Sequence, residues 1–371
     1  MSRLAGLETP RLILDRSRLE ANIARMAAAV DALGVALRPH LKTAKSAAVG
    51  ELATAGRTRG ITVSTLQEAE YFADHGFTDI TYAVGIAPGK LDRAAALIGR
   101  GVDLKIIADT VDAARAVADH GAAFKLLIEV DCGDRRGGTV PEGDILLAMA
   151  EALATSKTAR LEGVLTHAGH SYGVADSDEI RRIAEEERAA VVKAADRLRA
   201  AGHEIRTVSA GSTPTALFSR DATGLTEYRA GVFVFFDLDQ QSRGICQREE
   251  LALSVLATVI GHNREAGKVL IDAGGLALSK DRGANAFRPE VGYGEVCDAA
   301  GSPIPGVFVT SVSQEHGHVV LPDRALFDRL PVGSLVRVLP NHACMTAAAY
   351  PEYTVLEDGA PDAVWSRCNG W

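Results

Sequence analysis

A lysine that ends a short apolar stretch is the first residue of this chain whose position suggests chemistry. Lys42 lies near the end of residues 36–43, ALRPHLKT, which we predict to be a short buried strand. Burial disfavours the charged ammonium and lowers the pKa of a lysine, so that the neutral amine can attack a carbonyl carbon. A Schiff-base lysine needs this property. A surface lysine whose stem lies along the strand end would explain the same residues.

Several later apolar stretches are also followed by side chains that could take part in chemistry. If these stretches are parallel strands of a barrel, the residues just past their ends converge on one pocket. The residues that would meet there are Lys42, Ser64, Thr65, residues 131–136 including Arg136, residues 167–172 including His167 and Tyr172, residues 211–213, and Gly231. This set combines cations, imidazoles and a phenol with a turn of small residues, as an active site does.

The turn Gly211-Ser212-Thr213 is a candidate phosphate site. Pro214 suits the first position of a helix, and free N–H groups there, with the two hydroxyls, would bind an anion. An ordinary helix cap explains the turn equally well. Loops after strands seven and eight are the usual phosphate site of such a barrel, and a lysine and a phosphate site in one barrel mouth suggest pyridoxal phosphate.

His342 and Cys344 form a candidate metal pair further along the chain. A one-residue gap puts both side chains on the same side of an extended segment, and imidazole with thiolate suits zinc. Two protein ligands are too few for a structural zinc site, so positions would remain for water or substrate. A buried histidine beside a core cysteine is the alternative interpretation.

The elements that must position these residues alternate between strand and helix. Helices are predicted at residues 17–33, 66–75, 90–100, 111–120, 144–155 and 177–201, with a short one after residue 211. The predicted strands are residues 36–43, 60–64, 79–84, 103–108, 124–130, 161–166, 207–210 and 227–235. Such strands must be parallel, because each needs a helical crossover. Eight units that close on themselves form a (β/α)₈ TIM barrel, with an open doubly wound sheet as the competing fold.

The pattern changes from about residue 240. Strand-like runs with turn residues between them follow, at residues 250–261, 268–272, 306–310, 319–321 and 334–339. We therefore predict an α/β protein with a barrel at residues 16–239 and a mostly β domain at 240–371. The extended run at residues 9–14 lies outside the barrel count, so residues 1–15 are assigned to the β domain, which carries the metal pair.

Composition excludes several classes of protein. The net charge of −8 argues against a nucleic-acid partner. The longest apolar run, residues 251–260, is shorter than the roughly 20 residues that span a bilayer, and residues 1–10 show no secretory signal. We therefore expect no membrane partner. The five cysteines are scattered and form no CxxC pair, which favours reduced thiols and a cytoplasmic protein.

An ordered set of motifs covers nearly the whole chain. It comprises RPHLKT at 38–43, DCG at 131–133 with Arg136 and Gly138, HAGHSY at 167–172, GST at 211–213, RAG at 229–231, QEHG at 314–317 and PNHAC at 340–344. In this set the chain resembles the D-serine dehydratase and D-threonine aldolase family, the metal-dependent branch of the alanine-racemase-like fold. The resemblance implies a barrel that binds pyridoxal phosphate, a C-terminal β domain and usually a homodimer.

The resemblance also implies roles for individual residues. Lys42 matches the Schiff-base lysine, with Lys45 as its nearest competitor. His167 matches a histidine that lies against the cofactor ring, and His342 and Cys344 match the metal pair. The remaining matches are the phosphate anchors and the pocket residues: Gly211, Ser212, Thr213 and Gly231 for phosphate, and Arg136 and Tyr172 for the pocket, with Arg136 a candidate partner of a substrate carboxylate.

The metal pair separates two activities within the family. Dehydratases tend to carry HxC and bind zinc, whereas aldolases tend to carry HxD and use manganese or magnesium; this chain has HxC. The wider sequence also resembles the bacterial D-threo-3-hydroxyaspartate dehydratases more than the aldolases. The resemblance therefore implies a lyase that eliminates water from a small D-3-hydroxy amino acid and releases ammonia and a 2-oxo acid.

Three alternatives to a dehydratase are compatible with a barrel that carries a Schiff-base lysine. An aldolase would cleave the Cα–Cβ bond and give glycine and an aldehyde. A racemase would need a second base on the opposite face and no metal. A cofactor-carrying protein without catalysis is the alternative from another class, and the metal pair in a second domain argues against it.

Overall fold

We describe a computed structural model of the protein that covers residues 3–57 and 60–371. The chain forms two compact units, one of residues 1–24 with 232–367 and the other of residues 25–231 with 368–371. Met1 and Ser2, at the start of the segment assigned to the β domain, lie outside the described residues. The predicted boundaries at 15/16 and 239/240 stay a prediction.

Strands and helices are numbered along the chain. The strands are β1 (Arg11–Asp15), β2 (Ala36–Leu37), β3 (Ile61–Val63), β4 (Asp79–Gly85), β5 (Asp103–Ala108), β6 (Lys125–Val130), β7 (Arg160–Thr166), β8 (Thr207–Ala210), β9 (Glu227–Tyr228), β10 (Leu253–Asn263), β11 (Lys268–Ile271), β12 (Glu295–Asp298), β13 (Pro303–Val312), β14 (Gly317–Val320), β15 (Leu335–Leu339), β16 (Glu352–Glu357) and β17 (Ala360–Ser366). The α-helices are α1 (Arg16–Ala32), α2 (Ala47–Thr54), α3 (Leu66–Asp74), α4 (Leu91–Gly99), α5 (Val111–Asp119), α6 (Asp144–Ala154), α7 (Ser177–Ala200), α8 (Thr213–Phe218), α9 (Leu238–Ser242), α10 (Gly275–Leu278), α11 (Leu326–Arg329) and α12 (Ala343–Ala347).

The unit of residues 25–231 is built on a parallel sheet with the order β2-β9-β8-β7-β6-β5-β4-β3. Beyond β2, a parallel bridge between His40 and Thr62 joins the two ends of this sheet. Leu41 N–H donates to the carbonyl oxygen of Thr62 at 2.8 Å, and Thr62 N–H donates to that of Pro39 at 2.9 Å. The ring is therefore closed, which confirms the (β/α)₈ barrel and rules out the open sheet.

Two of the predicted strands are shorter than expected. Residues 36–43 form a strand only at Ala36–Leu37, and Lys42 lies in a turn over residues 41–44. Pro39 has no N–H to continue the ladder, which shortens this strand. The run 227–235 is a strand only at Glu227–Tyr228 and contains a 3₁₀ turn at Val232–Val234. This run is buried on all sides, so its hydrophobicity does not reveal where the strand ends.

Buried charges connect the N-terminal ends of the barrel strands. Arg38 Nε donates to Glu227 at 2.7 Å, and its two terminal nitrogens donate to Asp79 at 2.9 and 3.0 Å. Lys105 Nζ lies 2.7 Å from the same Asp79 carboxylate. Burial alone would raise the pKa of Asp79, but hydrogen bonds and charges from Arg38 and Lys105 outweigh burial and lower its pKa to about 2. As an anion, this carboxylate therefore joins β4 to Lys105 of β5 and to Arg38, which directly follows β2.

The replacement Asp79→Asn is expected to remove part of the acid sensitivity of the protein. Because the folded-state pKa of Asp79 lies below the usual value of about 3.9, its stabilising contribution is complete above that value and is lost as the pH falls towards about 2. The free energy of unfolding is measured in urea at pH 7, 4 and 2.5. At pH 7 it should be lower for Asp79→Asn than for wild type, and below pH 4 it should fall less for the variant than for wild type. Asp112→Asn, at a side chain that is 96% exposed, is the control. Parallel pH profiles of wild type and Asp79→Asn would contradict this prediction.

The other unit contains a mostly antiparallel sheet with the order β11-β14-β13-β12-β15-β10-β1-β16-β17. A further pairing between β10 and β11 closes the first part of this order into a ring. Strand β1 pairs antiparallel with β10 and parallel with β16, so the prediction that the N-terminal run joins this sheet is confirmed. Strands β12, β16 and β17 were not predicted.

Within residues 3–57 and 60–371, no helix is both long enough and apolar enough to cross a membrane.

Candidate functional site

The turn that carries Lys42 follows the bridge that closes the barrel. The Lys42 side chain is exposed, so the expected burial of this lysine is wrong. The charge of Lys42 affects a neighbouring imidazole. Burial first, and then the Lys42 charge, lowers the pKa of His40 well below its usual value. Lys45, the competing lysine, is held elsewhere, because its Nζ lies 2.9 Å from Oε1 of the fully buried Glu68.

Gly231 packs directly against the lysine turn. A Cβ atom at this position would lie 2.9 Å from the carbonyl oxygen of His40 and 3.1 Å from Oγ1 of Thr43. The chain before it is fixed to both neighbouring segments, because Arg229 N–H donates to Ala210 at 2.7 Å and His40 N–H donates to Ala230 at 2.7 Å. Only glycine leaves space between these segments.

The turn after β8 has the expected helix cap. Ser212 caps α8: its hydroxyl accepts the N–H of Thr215 at 3.2 Å, and the Thr215 hydroxyl accepts the N–H of Ser212 at 3.0 Å. The helix begins at Thr213, so Pro214 is its second residue and not its first. Gly211 has φ +124°, and a Cβ there would lie 2.9 Å from the Arg229 nitrogen.

His167 and Tyr172 face this turn from the loop after β7. Nδ1 of His167 lies 2.9 Å from the carbonyl oxygen of Gly211, and the Thr213 N–H donates to the Tyr172 hydroxyl at 3.3 Å. The two rings lie 6.2 Å apart between centroids. Burial, and then the charge of Lys42, lowers the pKa of His167 to about 3, so its imidazole is neutral at pH 7.

Arg136 lies on the loop after β6. Its side chain is 61% exposed, and its Nη2 lies 3.6 Å from Oε1 of Glu129. The Arg136 charge contributes to the lowered pKa of His167. Within the barrel unit, the structure brings together the lysine turn, the His167 loop, the Gly211 turn and Gly231, whereas the contact of Arg136 is to Glu129.

His342 and Cys344 lie in the other unit, at the start of α12. His342 is extended and precedes the helix, whereas Cys344 lies in its first turn, so the expected extended segment is wrong for the cysteine. The side chains still hydrogen bond to each other, and His342 Nδ1 lies 2.7 Å from Oδ2 of Asp281. Burial opposes protonation of His342, but Asp281 and Cys344 outweigh it and raise the pKa of His342 to about 11.

Among the described residues, no group of three or more His, Cys, Asp or Glu side chains is arranged to hold a metal ion. A metal at His342 and Cys344 would therefore have two protein ligands and open positions. Asp281 would hold the imidazole in one orientation, as outer carboxylates do in metal sites.

Three residues that contact the site were not identified from the sequence as functional. They are Asp281, Arg229 and Glu187. The Arg229 guanidinium is buried in the barrel and donates to the carbonyl oxygen of Thr166 at 2.5 Å and to the hydroxyl of Ser209. Glu187 was detectable, because it occupies a position in the apolar stripe of α7 between Ile183 and Val191. Asp281 follows no recognisable spacing.

Two family models match successive parts of the chain. Residues 14–239 match the family described as alanine racemase, N-terminal domain, and residues 252–356 match a serine dehydratase domain. The chain belongs to the alanine racemase N-terminal domain family, in its branch with D-serine dehydratases and D-threonine aldolases.

Individual relatives are similar over nearly their full length. D-threo-3-hydroxyaspartate dehydratase of Delftia sp. (strain HT23) is 47% identical, covering 99% of this chain and 99% of the relative. A solved structure of a D-threo-3-hydroxyaspartate dehydratase, a cysteine-to-alanine mutant in the metal-free form, has a TM-score of 0.96 at 45% identity over 100% of both chains. D-threonine aldolase of Arthrobacter sp. is 29% identical, covering 98% of this chain and 92% of the relative. The predicted family, the fold class and the prediction of a lyase are confirmed.

Proposed function

We propose that this protein is a pyridoxal-phosphate- and metal-dependent dehydratase of small D-3-hydroxy amino acids such as D-threo-3-hydroxyaspartate or D-serine. The observation that carries the proposal is the arrangement around Gly231 and Gly211. Their missing side chains let the Lys42 turn, the His167 loop and the turn before α8 approach one another in the barrel. Similarity to the Delftia dehydratase over the full chain supports the same reaction.

The barrel residues fit pyridoxal phosphate. A Cβ at Gly211 or Gly231 would come within 2.9 Å of backbone atoms, so both positions require glycine. Gly231 packs against the lysine turn, and Gly211 begins the turn Gly211-Ser212-Thr213, called the phosphate turn below. We assign Lys42 to the cofactor aldehyde, residues Gly211, Ser212, Thr213 and Gly231 to the phosphate, and His167 and Tyr172 to the ring. When bound, the cofactor withdraws electrons from the substrate Cα.

Lys42 and its neighbours then determine where protons go. The exposed amine of Lys42 can reach a ligand and, when free, can take the Cα proton of the substrate. His167 has a pKa of about 3 and so presents a neutral ring that does not compete for this proton. Arg136, whose side chain is 61% exposed and whose Nη2 lies 3.6 Å from Oε1 of Glu129, is assigned to a substrate carboxylate.

The pair His342 and Cys344 fits a divalent metal. Imidazole and thiolate are ligands of zinc, and the thiolate disfavours magnesium and manganese, which prefer oxygen. When bound, the metal is a Lewis acid for the β-hydroxyl, which is a poor leaving group. Asp281 holds Nδ1 of His342 at 2.7 Å and so leaves the other ring nitrogen for the metal.

Two further assignments come from the resemblance and the composition. We assign the protein to homodimers, as is usual in the family that it resembles. Five free cysteines and no disulfide among the described residues agree with a reducing compartment, the cytoplasm.

An aldolase is the second candidate, because the Arthrobacter relative is a D-threonine aldolase. The two functions differ in their products. The purified protein is incubated with D-serine, D-threonine and both diastereomers of D-3-hydroxyaspartate, with and without a chelator. We expect ammonia and the 2-oxo acid in equal amounts, with loss of both after chelation. Glycine and an aldehyde without ammonia would overturn the dehydratase assignment in favour of the aldolase.

A further inference from the structure

A fully buried carboxylate on helix α7 has no role in the proposed reaction. Glu187 is 1% exposed and lies in the apolar stripe of this helix, with Ile183 and Ala184 before it and Val191 after it. A carboxylate in such a position is costly unless hydrogen bonds compensate for the lost water. Its partners therefore indicate why an acidic residue stands there.

The partners of Glu187 belong to two loops of the proposed cofactor site. Its Oε1 accepts the N–H of Ala168 at 2.8 Å and the N–H of Gly211 at 3.0 Å. Ala168 directly follows His167, and Gly211 directly precedes Ser212. One oxygen atom thus binds a backbone N–H group in the loop after β7 and another in the loop after β8.

Further contacts between the same loops surround this oxygen. His167 Nδ1 lies 2.9 Å from the carbonyl oxygen of Gly211, so both polar groups of the Gly211 backbone are fixed. The hydroxyls of Ser171 and Ser212 lie 2.9 Å apart. These contacts link the loops to each other, whereas Glu187 links both of them to the helix that packs behind the barrel.

We propose that Glu187 is a positioning residue that holds the phosphate turn Gly211-Ser212-Thr213 against the loop after β7, in the geometry that binds the phosphate group of pyridoxal phosphate. Burial raises the pKa of Glu187, whereas hydrogen bonds from Thr215, Ala168 and Gly211 and the charge of Arg229 favour its ionised form. A charged acceptor makes stronger hydrogen bonds to backbone N–H groups than a neutral one. The proposal rests on the proposed function, because it concerns the same cofactor. It adds a buried residue that acts through the backbone N–H groups of Ala168 and Gly211.

The test compares two ligands that differ only in the phosphate group. Full-length protein freed of cofactor is titrated calorimetrically with pyridoxal phosphate and, separately, with pyridoxal. In Glu187→Ala we expect Kd for pyridoxal phosphate to rise by about 10- to 100-fold, the range found when residues that orient metal ligands are replaced. Kd for pyridoxal should change much less. Glu187→Gln keeps the volume and one acceptor oxygen, so its effect should be smaller and in the same direction.

Controls separate positioning from stability. Glu186→Ala, at the neighbouring exposed carboxylate of α7, should leave both Kd values unchanged. If Glu187→Ala does not fold, Glu187→Gln alone decides. The proposal would be overturned if the ratio of the two Kd values in Glu187→Gln equals that of wild type. This includes the case in which both affinities are retained and the case in which both fall by the same factor. If instead wild type binds neither compound, the proposed function itself fails.

Discussion

Replacing Lys42 by alanine should abolish turnover and the covalent attachment of pyridoxal phosphate. The amine of Lys42 is assigned both to the cofactor aldehyde and to the Cα proton, so its loss removes the attachment and a base. Proton transfer by a positioned side chain contributes about 10²- to 10⁴-fold to a rate. We therefore expect kcat to fall by at least about 10⁴-fold.

Borohydride reduction followed by peptide mapping measures attachment directly. In wild type the reduced cofactor should lie on the peptide that contains Lys42, and in Lys42→Ala no peptide should be labelled. Lys45→Arg is the matched control: arginine forms no imine but keeps a cation beside Glu68, which Lys45 contacts at 2.9 Å. This control should retain the label. A label on Lys45, or none in wild type, would contradict the assignment of Lys42.

The second large effect is expected for Cys344→Ala. Removal of one of the two proposed metal ligands should weaken zinc binding by more than about 100-fold, since even residues outside a ligand set change metal affinity by about 10- to 100-fold. Without the Lewis acid, the hydroxyl of the substrate leaves poorly, so ammonia release should be lost with the metal. A carrier without catalysis would show no such dependence.

Zinc content by atomic absorption and ammonia release are measured on the same preparations. Cys297→Ala is the matched control, because Cys297 is buried in the same unit and burial raises its pKa to about 12, which keeps it a thiol. This variant should keep its zinc. Full zinc occupancy in Cys344→Ala, or full activity without zinc, would show that the pair is not the metal site.

The amino-acid sequence was sufficient for the order of the barrel. Parallel strands with helical crossovers need long, regularly alternating segments, and their hydrophobic pattern is strong enough to read directly. The run at residues 9–14 could be assigned to the β unit because it stood outside this alternation. The residues proposed for the cofactor and the metal were also readable, because glycine turns, a lysine after a strand and an HxC pair have a distinctive local sequence.

Tertiary structure decided how those residues are held. Lys42 is exposed and Lys45 is bound to the buried Glu68, a distinction that depends on an acidic residue of α3 far from the lysine motif. Asp281 reaches His342 from 61 residues away, and Glu187 joins two loops from a helix. Local sequence cannot encode such partners, because a hydrogen bond between distant segments depends on where the whole chain brings each backbone N–H and carboxylate.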